Sequence, residues 1–135
     1  MDTTILVDKH IKDGEQLLTY LFKYKWKINI AFWNKDEYSN EWKLYLGIPL
    51  KEEGSRSIYL RLTKRIMQIQ PKLSIDIDDT VLIDSKDPVV KEVKRKLAAD
   101  IFTEETIRTL FIKGSDKING EAICYVIQKI KKAFN

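Results

Sequence analysis

KWKINIAFWNKDEYSNEWKLYLGI, residues 25–48, holds two period-two runs on either side of a polar centre. In the first, Trp26, Ile28, Ile30 and Phe32 fall on one face of an extended chain, with Lys25, Lys27, Asn29, Ala31 and Trp33 on the other. Residues 34–40 are polar and turn-prone. Beyond them, Trp42, Leu44, Leu46 and Ile48 alternate with Lys43, Tyr45 and Gly47, and Pro49 ends the ladder because it has no amide to donate. The spacing predicts an antiparallel hairpin, and the flanking segments must cover whichever of its faces is apolar.

Upstream, residues 3–23 place Val7, Ile11, Leu18 and Leu21 at helical spacing, with Leu17 and Phe22 beside them. Gly14 sits in that stripe. It costs about 1 kcal/mol relative to alanine in a helix and either permits close packing or marks a break. Downstream, Tyr59, Leu62, Ile66 and Ile69 predict a second helix over 56–70, stopped where Gln70 precedes Pro71. Residues 74–88, SIDIDDTVLIDSKDP, read as a strand in which Ile75 and Ile77 alternate with Asp76 and Asp78 before Val81, Leu82 and Ile83. Asp87-Pro88 is a helix start, a capping carboxylate followed by a residue with no amide to leave unpaired. Val89, Val93 and Leu97 continue that third helix.

Residues 106–113 and 121–130, joined by GSDKING at 114–120, predict a second hairpin. Its return strand is apolar on both sides, Ala122, Cys124 and Val126 against Ile123, Tyr125 and Ile127, as for a strand covered on both faces. The order α-β-β-α-β-α-β-β predicts an α+β fold, a mixed or largely antiparallel sheet of about five strands with three helices, in a single domain over 1–135.

The totals narrow the function classes. A chain of 135 residues can bury one core without disulfides or metal. The 24 basic residues are nearly offset by 20 acidic ones, so net charge alone does not call for nucleic acid. The greasiest window, 17–33, is broken by Lys23, Lys25 and Lys27, which excludes a membrane span there. One cysteine and an amino end without a basic leader and apolar run predict a cytoplasmic protein.

Three constellations carry possible chemistry. The first is acidic: period two would put Asp76 and Asp78 on one side of a strand, as weak catalytic candidates, with Asp79 completing a candidate magnesium site. The alternative is a solvated strand face. The second is the outer face of the first hairpin, where Lys25, Lys27, Trp33, Lys43 and Tyr45 would present rings and cations together. That combination suits stacked bases and phosphates of single-stranded nucleic acid, or a protein partner anchored on exposed aromatics. The third comprises single residues. His10 cannot form a two-histidine metal site and is expected to be solvated or packed against its helix; Cys124 is expected to be a small buried hydrophobe.

Taken as letters, Asp76-Ile77-Asp78-Asp79-Thr80 resembles the first motif of the haloacid-dehalogenase phosphohydrolases. The resemblance implies Asp76 as nucleophile, Asp78 as general acid and a magnesium ion between carboxylates and phosphate. The setting departs from that family: Pro71, Lys72 and Ser74 precede the motif where the family has a buried hydrophobic strand, and Glu104-Glu105 has no matching context. Separately, VDKHIKDGEQLLTYL, residues 7–21, with the hairpin and Asp87-Pro88, resembles a set of small hypothetical bacterial proteins common in cyanobacteria. This resemblance implies a freestanding bacterial domain and transfers no catalytic residue. The reading is of a non-catalytic accessory domain that binds a protein partner or a second copy of itself. Single-stranded nucleic-acid binding is the alternative, and magnesium-dependent phosphoryl hydrolysis the third.

Overall fold

The computed structural model describes residues 6–50, 54–99, 109–112, 118, 120–127 and 130. The elements run α1 (Asp8–Lys23), β1 (Ile30–Lys35), β2 (Trp42–Ile48), α2 (Ser55–Gln68), a 3-10 turn (Ile77–Asp79), β3 (Thr80–Asp84), α3 (Pro88–Ala99), β4 (Thr109–Ile112) and β5 (Ala122–Tyr125). The strands form one mixed sheet in the order β3-β2-β1-β5-β4. The fold is therefore α+β, with the element order expected from the periodicities. β1 pairs antiparallel with both β2 and β5, and β4 with β5. β2 and β3 are parallel, which requires a crossover, and α2 supplies it.

Register decides which side chains face which helix. Trp33 lies opposite Leu44 and Ile123, and Ala31 opposite Leu46, so one face carries Ala31, Trp33, Leu44 and Leu46. That face packs against Leu17, Leu18 and Leu21 of α1 and Ile58, Leu62 and Ile66 of α2. Ile30, Phe32, Ala122 and Cys124 point the other way and meet Val90 and Val93 of α3. With helices on both sides, the central strand β1 has no open face, and its residues from Ile30 to Asn34 are all buried.

Several boundaries differ from those expected. α1 begins at Asp8, and residues 3–5 lie outside the described residues. After α1 the chain turns at Lys25, whose φ is 66°, and β1 starts only at Ile30. Trp26 and Ile28 thus precede the strand and join the core beneath α1 and α2, while Ile30 and Phe32 face α3. The four do not share a face, because the period-two run crosses a bend before the ladder begins. The first hairpin's loop starts at Asp36, where the Tyr38 and Ser39 amides donate to the carboxylate at 2.8 and 3.0 Å. These bonds hold the Asp36 carboxyl below the usual carboxylate range.

α2 ends at Gln68, before the cis Gln70-Pro71 bond. Tyr59, expected on its core stripe, packs half-buried against that core, and the Leu82 amide of edge strand β3 donates to its phenol at 2.8 Å. Within the second hairpin, residues 106–108, 113–117, 119 and 128–129 lie outside the described residues, as does Glu104-Glu105.

Candidate functional site

The acidic segment does not form the predicted strand face. Ile77–Asp79 is a 3-10 turn, and the ladder begins at Thr80. The reason is local: a short aspartate side chain competes for nearby amides and ends extended structure. Asp79 is buried and accepts the Asp76 amide at 2.9 Å, while Asp76 and Asp78 are exposed. Asp84 accepts the Leu50 amide at 3.1 Å, tying β3 to the end of β2. Asp87 accepts the Val89 amide at 2.9 Å, the helix cap expected at Asp87-Pro88. Among the described residues, no three His, Cys, Asp or Glu side chains converge as metal ligands. The candidate magnesium set Asp76, Asp78 and Asp79 is thus not gathered, because a turn replaces the strand that would have aligned it.

The five residues expected on the outer hairpin face are likewise separated. Trp33 has no exposed surface, and its indole Nε1 donates to the Tyr125 phenol at 2.8 Å. Tyr45 is on the opposite face, half-buried and stacked on Phe32 at 5.1 Å between ring centroids. Burial there, with the Asp36 charge, raises its phenol above the ordinary range. Lys43 donates to the Asp78 carbonyl at 2.7 Å and lies 3.3 Å from Glu41. Lys25 and Lys27 are exposed but precede β1. Adjacent strand positions point to opposite faces, so Trp33 and Tyr45, which oppose Leu44 and Phe32, could share a face only in a different register.

What sequence reasoning missed is a polar assembly under α1. Tyr125 accepts from Trp33 and donates to the Ile11 carbonyl at 2.5 Å, joining β1, β5 and the α1 backbone. Burial raises the Tyr125 phenol, which keeps it a donor. Asp13, also buried, accepts both the Ser74 amide at 2.8 Å and the Ser74 hydroxyl at 2.6 Å. His10 is packed into the same region, its ring centroid 6.5 Å from that of Trp33. Ser, His and Asp are thus close, but the serine donates straight to the carboxylate, with no imidazole between them to act as base. A signal was present in the sequence: His10 and Asp13 are polar residues at core-facing positions of an amphipathic helix.

Cys124 is fully buried, and loss of hydration pushes its thiol up to about 12. It should resist alkylation by iodoacetamide at pH 8 in the native state and react promptly in denaturant, as a thiol count under each condition would report.

α2 also carries exposed apolar side chains. Ile58, Leu62 and Ile66 face the core, while Leu60 and Met67 remain 60% and 74% exposed. Seven positions are nearly two helical turns, so these two side chains lie on one outward ridge with Lys64 between them. On the flank toward α1, Arg65 stacks 3.7 Å from the Tyr24 ring centroid and Arg61 lies 5.1 Å from that of Trp26. No family model, curated protein or solved structure matches this chain. Its site is therefore assigned from geometry.

Among the described residues, no helix is long and apolar enough to cross a membrane. Among the described residues the most exposed aromatic is Tyr38, at the tip of the first hairpin beside Asp36, Glu37 and Glu41. Those carboxylates would repel a phosphate backbone approaching the ring.

Proposed function

We propose that the chain is a non-catalytic binding domain that engages a protein partner through the outward ridge of α2. The observation that carries this reading is the exposure of Leu60 and Met67 on one helix face whose other side is well packed. Burying what remains exposed of each would contribute roughly 1–2 kcal/mol, enough to make the ridge an anchor. The structural use of Asp79, Asp84 and Asp87 favours binding over phosphoryl chemistry in the acidic segment. With Trp33 enclosed and the Tyr45 ring stacked, the first hairpin offers no paired stacking platform, which counts against single-stranded nucleic acid there.

The test is site-specific photo-crosslinking in the cells that make the protein. A benzophenone side chain at position 60 or 67 should give protein adducts, including self-adducts if the partner is a second copy. The same probe at Lys94, exposed on α3 across the sheet, should not. Equal labelling from all three positions, or none from 60 and 67, would remove α2 as the interface.

A further inference from the structure

We infer that the partner of the α2 ridge is an acidic amphipathic protein segment, one that sets apolar side chains against Leu60 and Met67 and carboxylates around them. This rests on the protein-binding reading and adds the chemistry of the partner. The sequence has no carboxylate between Gln16 and Lys35, nor between Gly54 and Ile75, stretches that include the second half of α1 and all of α2 and are bounded by Glu15, Asp36, Glu53 and Asp76. α2 itself carries Arg56, Arg61, Lys64 and Arg65 without an acid.

Helix stability does not account for that pattern. The first turn of α2 has no acidic residue, its N-cap is Gly54 without a side-chain cap, and Arg56 lies at the positive end of the helix dipole. An acid there would stabilise the helix, whereas a cation opposes the dipole. The same cations suit an anionic surface arriving from outside, and the exposed leucine and methionine require that surface to be partly apolar. A phosphate backbone supplies the charge without side chains to cover Leu60 and Met67. Flat aromatic stacking is also obstructed, since Tyr24 has Arg65 over its ring and Tyr20 tilted against it at 5.0 Å.

The experiment is fluorescence anisotropy on the full chain with four labelled probes: a peptide with Leu and Phe at helical spacing among Glu, its counterpart with Lys for Glu, polyglutamate, and single-stranded oligothymidylate. Two charge reversals, Arg56→Glu and Lys64→Glu, test the cations; both sites are exposed, and an acid at position 56 favours the helix start, so folding is preserved. The acidic amphipathic peptide should bind most tightly, weaken at least ~10-fold in the double variant, and lose affinity as salt rises. The double variant should in turn gain affinity for the Lys peptide.

Equal binding of the Glu and Lys peptides to the unaltered chain would overturn the acidic chemistry while leaving the ridge as an apolar interface. Tighter oligothymidylate binding, lost on charge reversal, would overturn it in favour of nucleic acid. Polyglutamate binding as tightly as the amphipathic peptide would remove the apolar requirement. Failure of every probe would also overturn it, and crosslinking from positions 60 and 67 would then decide separately whether the ridge binds any protein.

Discussion

Gly14→Ala is expected to destabilise the fold by about 2–4 kcal/mol, measured as a shift in denaturant midpoint at unchanged slope. In an exposed helix the same change would stabilise by about 1 kcal/mol. Here the sign reverses because a Cβ at position 14 would overlap the Tyr125 phenol and lie 3.2 Å from Trp33 Nε1. Nothing nearby is a flexible chain end. The phenol is fixed by bonds from Trp33 and to the Ile11 carbonyl, so it can retreat only by breaking them. Tyr125→Phe should relieve part of the clash, making the double variant less unstable than the two single losses predict, at the expense of an unpaired indole N–H. A Gly14→Ala variant as stable as the parent would mean that α1 does not rest on Tyr125.

The same glycine shows how far the sequence can be read. Its place on the apolar stripe of α1 is visible there, and close packing is one of two explanations; the partner is not, because Tyr125 is far away in the chain and only register brings it under the helix. Where periodicity is long and uninterrupted, as in β2, α2 and α3, element type and order can be read directly. It misleads where a short stretch alternates without being a strand. Trp26 and Ile28 keep the phase of Ile30 and Phe32 on paper, but the bend before β1 sends the two pairs to opposite sides of the sheet. Asp76 and Asp78 alternate with Ile75 and Ile77, yet capping bonds fold them into a turn. Both errors touch the candidate sites, since the aspartate set needs period two to continue and so does the join of Lys25 and Lys27 to the hairpin face, while Trp33 and Tyr45 part through register. The α2 ridge is legible as a polar-side face, but Leu60 and Met67 are hidden among its cations.

Asp13→Ala should cost about 2–3 kcal/mol at neutral pH, since it removes the charged acceptor of two Ser74 hydrogen bonds and leaves the Ser74 amide without that partner. This contact clamps the start of the acidic segment to α1, so the loss should appear as faster amide exchange around residues 74–79 before global unfolding. The acid side of the stability curve gives an independent check. Burial pushes the Asp13 carboxyl up, but the two Ser74 bonds and the electrostatic interactions with Lys9 and His10 outweigh it, and the net value is below the ordinary one. A group depressed in the folded state contributes its stability in full above the unfolded pKa of about 3.9 and loses it as pH falls through the lower folded value. Thermal melts of the parent should therefore fall between about pH 5 and pH 2, partly through Asp13 and partly through Asp36. Asp13→Asn keeps an acceptor for Ser74 but no titrating charge; it should be less stable at pH 7, flatter across that acid range, and close to the parent at its lower end. Parallel curves for the parent and the Asp13→Asn variant would show that the Ser74 bonds do not depend on the carboxylate charge.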